Sequence, residues 1–487
     1  MSSRKISIKK NFIYNITYEV FRLIVPLLST PYISRVLGAD GVGTYALAFT
    51  YSQYFILFAG LGFSTYAARE LAYVRDDKRK FHSTFIEIFA SRVILLLAAI
   101  CIYILWFFIL HKQTDLSYRI ALIYLIASVF DVSYYFRAIE NFKTVALRNI
   151  FVKFIGMVVV FCLVKRPTHV WLYTLILAVS ELIGQMIMIF SVEKSMWRIL
   201  NIRMACIKKH LTGALALFIP ALAVQMYTML DKVMIGHICG ETETGYYENA
   251  QKMVRLAATI SSAIVAVSVP RMSYFFANGF KQECKTYFKK VFVTVSFLVF
   301  PMCFGLIGVA DSFSYWYFGK NFSGIQNLIM LGAPLIISLG WSSILGNMIL
   351  IASGKQKYYT IAVYIGAVLN VGINFAMIPK LGASGAMIGS IIAEFAGMFL
   401  MLYFCKRQFS YSLPIKNIIH YLFSSIIMLL IVRLFSYCGL NRTWFHTCIN
   451  VLAGIGIYFF LLILFKDDWV INTWNEFHDY IRRRKNG

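Results

Sequence analysis

The sequence consists mainly of long apolar runs separated by short polar segments. Each run has about 18 to 25 residues, which at 1.5 Å per residue is enough for a helix to cross a hydrocarbon core about 30 Å thick. Strands of a membrane barrel would be about ten residues long and would alternate in polarity. The pattern therefore predicts an all-α polytopic membrane protein with about fourteen transmembrane helices. The predicted spans are 12–36, 42–66, 83–110, 118–136, 148–164, 169–191, 212–236, 246–272, 291–311, 325–352, 358–379, 385–405, 417–437 and 446–465.

The composition agrees with a membrane protein, because 59% of the 487 residues are hydrophobic and only 14% are charged. Soluble proteins carry about a quarter charged residues. The formal net charge of +25 raises the question of a nucleic-acid partner. Lys and Arg are concentrated in alternate connections, however, with roughly 32 on the side of the amino terminus and roughly 8 on the other. This distribution is the positive-inside signal, so it argues against nucleic acid and predicts that both termini are cytoplasmic.

Residues 34–46, SRVLGADGVGTYA, resemble a phosphate-binding loop at first sight. Such a loop ends in Gly-Lys-Ser/Thr, whereas Gly43 is followed by Thr-Tyr. The segment also falls between the first two predicted spans, on the side away from the cytoplasm. We therefore interpret it as a tight turn in which Gly38, Gly41 and Gly43 provide positive φ angles and close approach.

No pattern in the sequence indicates covalent chemistry. The nine cysteines lack the paired spacing of zinc or redox sites, and no metal-spaced His cluster or Ser/His/Asp grouping occurs. The acidic pairs Asp76-Asp77 and Asp467-Asp468 are interpreted as solvated surface groups rather than metal ligands. We predict no metal, no cofactor and no enzymatic activity.

The glycine turn recurs after the seventh and eleventh predicted spans, in residues 231–250 and 378–390. In each copy a basic residue precedes a first glycine, and a second glycine opens the next span. The three sets are Arg35, Gly38 and Gly43, then Lys232, Gly236 and Gly245, then Lys380, Gly382 and Gly385. Because the first two copies lie six spans apart, we expect two related lobes of six helices, as in many secondary transporters. The predicted domains are a first lobe (1–192), a basic cytoplasmic linker (193–211), a second lobe (212–405) and two extra helices with a basic tail (406–487).

Charged residues inside membrane spans are costly and mark candidate functional sites. One face of the first predicted span carries Asn15, Glu19 and Arg22, and one face of the eighth carries Glu248, Lys252 and Arg255. Basic groups on a buried face favour an anionic cargo. We predict substrate contacts at Asn15, Arg22, Lys252 and Arg255, and coupling or counter-ion roles for Glu19, Glu248, Asp231 and Glu394. The alternatives are neutralised structural pairs and, for Asp231, a side chain that snorkels to the membrane surface.

Several stretches resemble the polysaccharide transporter family of Wzx-type oligosaccharide flippases. They are PYISRVLGADGVGTYALA, GYYENAQKMVRL, VSVPRMS, ILIASGKQKYYT and NFAMIPKLGASGAMIGSIIAE. This family shares a superfamily with MATE exporters and lipid II flippases. The resemblance implies an inverted V of two six-helix bundles with two extra helices outside. It also implies that the chain moves an undecaprenyl-pyrophosphate-linked oligosaccharide by alternating access from the cytoplasmic to the outer leaflet of a bacterial inner membrane, for O-antigen or capsule synthesis.

The implied partners are this lipid-linked glycan, the bilayer lipids and the polysaccharide polymerase machinery. Two alternatives stay open. A MATE-type cation or drug antiporter would line its cavity with acidic and aromatic groups, whereas the two charged faces here contain Arg22, Lys252 and Arg255. A lipid II flippase would differ mainly in its glycan.

Overall fold

The computed structural model describes residues 8–60, 62–110, 115–197, 204–409, 413–437, 443–467 and 469–471. These residues form α-helices joined by short turns and by a few 3₁₀ and π segments, and no strand occurs among them. The helices, in chain order, are α1 (Ile8–Gly60), α2 (Phe63–Tyr73), α3 (Lys78–Ile104), α4 (Leu116–Ile120), α5 (Leu122–Val129), α6 (Ser133–Ala138), α7 (Phe142–Leu163), α8 (Val170–Phe190), α9 (Met204–Cys239), α10 (Glu241–Ala277), α11 (Lys281–Phe318), α12 (Ile325–Gly332), α13 (Leu335–Ser343), α14 (Gln356–Leu381), α15 (Ala383–Phe409), α16 (Ile415–Tyr437) and α17 (Trp444–Leu464).

Within the described residues, 12 helical segments are long and apolar enough to cross a membrane. The predicted spans 12–36 and 42–66 fall on one continuous stretch that starts with α1, and α9 covers the predicted span 212–236. Every other predicted span coincides with one of the remaining segments. The prediction of an all-helical, polytopic membrane protein is confirmed.

Helix α1 passes through the predicted turn between the first two spans instead of ending there. Its path breaks at Gly38, whose φ of 71° and ψ of −176° are not helical, and the helix resumes at the next residue. Only glycine adopts such a conformation at little cost. The predicted turn is therefore a one-residue kink between two helical segments.

The fourth predicted span, 118–136, is interrupted at Asp131, between α5 and α6. The Oδ1 of Asp131 accepts a hydrogen bond from the backbone N–H of Ser133 at 2.9 Å. Arg92 of α3, which is 6% exposed, donates to Oδ2 of Asp131 at 3.1 Å and also to its carbonyl oxygen. A buried guanidinium requires an acceptor for its charge. The pair therefore holds the interruption in place.

The chain divides into two compact units, Met1–Gly245 and Tyr246–Gly487. In the first unit, side chains of α2, α3, α6 and α9 form a hydrophobic cluster that includes Phe63, Phe85 and Tyr134. In the second unit, α14 packs against α15, and α16 packs against α11 and α17. Arg433 of α16 forms an ion pair with Asp311 of α11 at 2.8 Å. The lobe boundaries predicted from the sequence stay a prediction.

The prediction that Asp467 lies on a solvated surface is wrong, because this residue is fully buried. Its carboxylate accepts hydrogen bonds from three side chains of α16 and from two backbone N–H groups of the following segment. The donors are Asn417, His420, Tyr421, Trp469 and Val470. Asp468 lies outside the described residues, and Asp76 and Asp77 are exposed as predicted.

Candidate functional site

Each of the three repeated turns contains a glycine with positive φ, but the second copy needs a correction. Gly38 has a φ of 71° and Gly382 a φ of 57°, whereas in the second copy Gly240, and not Gly236, adopts this conformation with a φ of 90°. Gly236 permits close packing instead, since a Cβ there would lie 2.5 Å from Cδ2 of Leu47. Aligning the copies on their basic residues hid this equivalence. Aligned on Gly38 and Gly240, both copies carry a glycine five positions later, Gly43 in the first and Gly245 in the second.

Gly43 and Gly245 bring the first two turns into direct contact. A Cβ on Gly43 would lie 1.7 Å from the carbonyl oxygen of Glu241, and a Cβ on Gly245 would lie 1.9 Å from the carbonyl oxygen of Ala39. The contact is reciprocal, because positions 39 and 43 of the first copy correspond to 241 and 245 of the second. A larger residue at either glycine would require the backbones to separate. Residues 39–44 and 241–245 are called the glycine contact below.

Glu241, the first residue of α10, is the hydrogen-bonding centre of the glycine contact. Its carboxylate accepts hydrogen bonds from the hydroxyl of Tyr118 at 2.8 Å and from the hydroxyl of Thr44. Beside it, the hydroxyl of Thr242 donates to Oδ1 of Asp40 at 3.2 Å. Hydrogen bonds to a charged acceptor contribute about 1.5–3 kcal/mol each. The polar bonds therefore reinforce the backbone contact.

Sequence reasoning missed Glu241 and Tyr118. The spacing of the two glycine copies gave a signal for the backbone contact, because symmetry-related segments of repeated halves often meet. No spacing pointed to Tyr118, which comes from α4. Tyr51 and His237, whose hydroxyl and Nε2 lie 2.6 Å apart, were missed for the same reason.

The predicted charged face of the eighth span lies on α10, where Lys252 and Glu248 form an ion pair. Their Nζ and Oε1 atoms are 3.9 Å apart, and the side chains are 32% and 20% exposed. Arg255 follows one turn later and is half-buried. The described residues supply no hydrogen bond or ion pair to its guanidinium. Because Glu248 balances Lys252, the net charge of this three-residue face is the positive charge of Arg255.

Hydrogen bonds connect this part of α10 to α15. The hydroxyl of Tyr247, a fully buried residue, lies 3.1 Å from Oγ of Ser390 and accepts a hydrogen bond from Nε2 of Gln251 at 2.8 Å. Glu394 follows Ser390 by one helical turn on α15 and is half-buried. These bonds fix the rotation of α10, and hence the direction of its charged face.

The remaining predicted site residues lie on α9 and α1. Asp231 on α9 is fully buried, so the alternative of a side chain that snorkels to the surface is wrong for this residue. Asn15, Glu19 and Arg22 have their backbones in α1, but their side chains lie outside the part of the chain that the structure describes. Among the predicted residues, the structure pairs Glu248 with Lys252.

Other buried charges have structural partners. The buried Arg148 on α7 lies 3.7 Å from Oε1 of Glu181 and donates to Oε1 of Gln185 at 2.9 Å, both on α8. Gln185 in turn donates to Glu181 at 2.7 Å. In the described ranges, no three His, Cys, Asp or Glu residues are grouped so that they could hold a metal ion.

A multi-pass helical protein with ionisable residues inside its spans has the features of a membrane transporter. A sequence profile of the family described as polysaccharide biosynthesis protein matches residues 8–276. The chain belongs to this family, which confirms its resemblance to the polysaccharide transporters.

Two relatives agree with this assignment, and a solved structure shares the fold. A protein of Shigella dysenteriae named "Putative O-antigen transporter" is 23% identical over 405 residues, which cover 81% of this chain and 99% of that protein. A protein of the same name from Escherichia coli (strain K12) is 20% identical over 84% of this chain and 99% of its own length. A structure of the lipid II flippase MurJ in an inward closed conformation has a TM-score of 0.76 at 16% identity, over 94% of this chain and 100% of that chain, which shows the fold. The relatives from Shigella dysenteriae and Escherichia coli are named as transporters, which supports the prediction that the chain is a transporter and not an enzyme.

Proposed function

We propose that this protein moves undecaprenyl-pyrophosphate-linked oligosaccharides from the cytoplasmic to the outer leaflet of a bacterial inner membrane, for O-antigen or capsule synthesis. Its termini face the cytoplasm in this proposal. The family assignment and the relatives named as O-antigen transporters support a lipid-linked glycan as the cargo. The polysaccharide polymerase machinery would receive the glycan in the outer leaflet.

The observation that carries the proposal is the half-buried Arg255, to which the described residues supply no anionic partner. A guanidinium removed from water is stable only with an acceptor for its charge. Arginine binds phosphate oxygens through two parallel hydrogen bonds. A pyrophosphate-linked cargo supplies such an acceptor, whereas an organic cation would be repelled.

The other predicted residues complete this binding site in the proposal. Lys252 contacts the cargo together with Arg255, and Glu248 balances the charge of Lys252 when no cargo is bound. Asn15 and Arg22 of α1 contribute further contacts to the cargo. Glu19, Asp231 and Glu394 serve as counter-ions that hold basic groups within the membrane.

Alternating access requires that one end of the pathway closes while the other is open. The glycine contact supplies such a closure, because it joins α1, α4 and α10 through backbone packing and the two hydrogen bonds to Glu241. By the predicted topology, this end faces away from the cytoplasm. Release of the cargo to the outer leaflet would then require that the glycine contact separates.

Sealed vesicles loaded with lipid-linked oligosaccharide test the proposal, with a membrane-impermeant glycosidase reporting glycan in the far leaflet. We expect protein-dependent translocation that slows about tenfold in Arg255→Ala, the effect of losing one charged hydrogen bond, and less in Arg255→Lys. Arg271→Ala is the matched control, since Arg271 is on the same helix but packs over the rings of Phe275 and Tyr287. No translocation by the wild type, with efflux of organic cations, would favour a MATE-type antiporter. Unchanged translocation in Arg255→Ala would contradict the proposed role of Arg255 in cargo binding but not the flippase function.

A further inference from the structure

A buried group of titratable side chains lies in the first unit, outside the glycine contact. The Nε2 atom of His210 on α9 is 3.1 Å from Oε2 of Glu87 on α3. The Nδ1 atom of the same ring is 2.9 Å from the hydroxyl of Tyr66 on α2. Three helices therefore meet at one imidazole, and both of its nitrogens are engaged. These three residues are called the histidine triad below.

The imidazole is sealed from solvent, but its carboxylate partner is not. His210 and Tyr66 are each 3% exposed, whereas the side chain of Glu87 is 24% exposed. Gly213, one turn after His210 on α9, admits the tyrosine, since a Cβ there would lie 2.5 Å from Cε2 of Tyr66. Glu87 is therefore the partly exposed member of the histidine triad.

The charges around the histidine triad come from each helix that meets there. On α2, Arg69 lies 5.8 Å from the ring centre of Tyr66 and forms an ion pair with Glu70 at 3.1 Å. On α9, Lys208 and Lys209 are exposed. On α3, Glu87 is the carboxylate in contact with the imidazole.

The geometry accommodates two protonation states of His210. A neutral ring with its hydrogen on Nε2 donates to Glu87 and accepts from the Tyr66 hydroxyl, while a protonated ring donates to both because the hydroxyl can rotate. The protonated ring and the carboxylate form a neutral pair, so their separation would uncover two opposite charges. Separating a neutral ring breaks hydrogen bonds and uncovers one charge, that of the carboxylate. Movement of α9 away from α2 and α3 is therefore coupled to loss of the proton.

We propose that His210, Glu87 and Tyr66 form a proton-binding site that couples proton uptake and release to the movement of α9 during transport. The proposal rests on the transport function proposed above, and its ligand is the proton itself. An imidazole is the side chain whose charge ordinarily changes between about pH 5 and 8. A site of this kind would let a proton gradient drive the cycle.

Hydrogen exchange of the full-length protein in lipid nanodiscs tests the site without measuring transport. After correction for intrinsic rates, we expect amides of residues 207–214 to be about tenfold more protected at about pH 5.5 than at about pH 8. In His210→Gln, whose amide can still bond to both partners, and in Glu87→Gln, we expect a difference below about twofold. His169→Gln should keep the wild-type difference, because that ring contacts backbone atoms of Leu163 and Lys165. A wild type without pH dependence, or a glutamine variant that keeps it, would overturn the proposal.

Translocation in vesicles with an imposed pH gradient separates this proposal from the proposed function. We expect the gradient to change the translocation rate of the wild type at least about threefold. The translocation rate of His210→Gln should not depend on the gradient. Equal responses in the two proteins would overturn the proton site and leave the flippase function standing. If the wild type translocates no lipid-linked glycan, the proposed function fails. The hydrogen-exchange experiment then decides by itself whether proton binding at the histidine triad changes the protection of α9.

Discussion

The backbones of Gly43 and Gly245 lie in direct contact. A Cβ on Gly43 would lie 3.0 Å from the amide nitrogen of Gly245, and a Cβ on Gly245 would lie 3.1 Å from the amide nitrogen of Gly43. The two residues are equivalent members of a sequence repeat, so the repeat has a structural consequence beyond a similar fold in each copy. Each copy supplies both a glycine and a backbone carbonyl that packs against the glycine of the other copy. The reciprocal contact therefore needs few specialised residues.

Gly43→Ala should force the glycine contact apart. The added methyl group would overlap the carbonyl oxygen of Glu241, which belongs to the backbone and cannot rotate away. Overpacking of this kind costs about 1–3 kcal/mol. We expect amide exchange in residues 39–47 and 241–247 to rise by about tenfold or more.

Gly372→Ala is the control for this substitution. Gly372 also lies within a helix, α14, but no atom lies within 4 Å of its added Cβ. We expect Gly372→Ala to leave exchange at the glycine contact unchanged and Gly245→Ala to reproduce the effect of Gly43→Ala. Wild-type protection in Gly43→Ala would show that the two backbones are not in contact in the membrane.

Glu241 and Tyr118 should be energetically coupled. The Tyr118 hydroxyl donates to Oε1 of Glu241 at 2.8 Å, and both Tyr118→Phe and Glu241→Gln weaken this bond. In a double-mutant cycle on the free energy of unfolding, we expect a coupling of about 1–3 kcal/mol, typical of a hydrogen bond to a charged acceptor. Tyr458→Phe removes a hydroxyl that donates to Phe297 and should be additive with Glu241→Gln. An additive result for Tyr118 would mean that the side-chain hydrogen bonds do not stabilise the glycine contact, which would then depend on backbone packing alone.

Much of the fold was predictable because the bilayer constrains it. Only a helix satisfies its backbone inside lipid within one segment, so the length and apolarity of each run determined its structure, as for 446–465 and α17. Gly38 was predictable as a positive-φ residue for a similarly local reason. The partners of Glu241 and His210 were not predictable. They come from helices far away in the sequence, and no local pattern specifies which hydroxyl or carboxylate will lie within 3 Å of them.

Loss of the carboxylate that faces Arg92 should be strongly destabilising. In Asp131→Asn, the buried guanidinium keeps its charge but loses its anionic partner at 3.1 Å. Removing one member of a buried ion pair costs about 3–5 kcal/mol. Chemical unfolding in detergent measures this loss.

Arg75→Ala is the matched comparison, because Arg75 pairs with Glu140 at a similar distance of 3.0 Å while the side chains are 45% and 68% exposed. An exposed pair contributes at most about 1 kcal/mol, so Arg75→Ala should scarcely change the free energy of unfolding. Equal losses in the two variants would mean that water reaches the Arg92 pair.

Asp467 and Asp76 each begin an Asp-Asp pair and look equivalent in the sequence, but the structure predicts different effects of substitution. Asp467 is fully buried and its carboxylate receives five hydrogen bonds, three of which join the start of α16 to the segment after α17. In Asp467→Asn the new amide group turns N–H donors toward other donors, so at least one bond is lost and one polar group is left unpaired. We expect a loss of about 3 kcal/mol in the free energy of unfolding, together with faster exchange in residues 415–421.

Asp76→Asn, at an exposed position, should be within about 0.5 kcal/mol of the wild type. A loss in Asp467→Asn as small as that in Asp76→Asn would contradict a stabilising role for these hydrogen bonds.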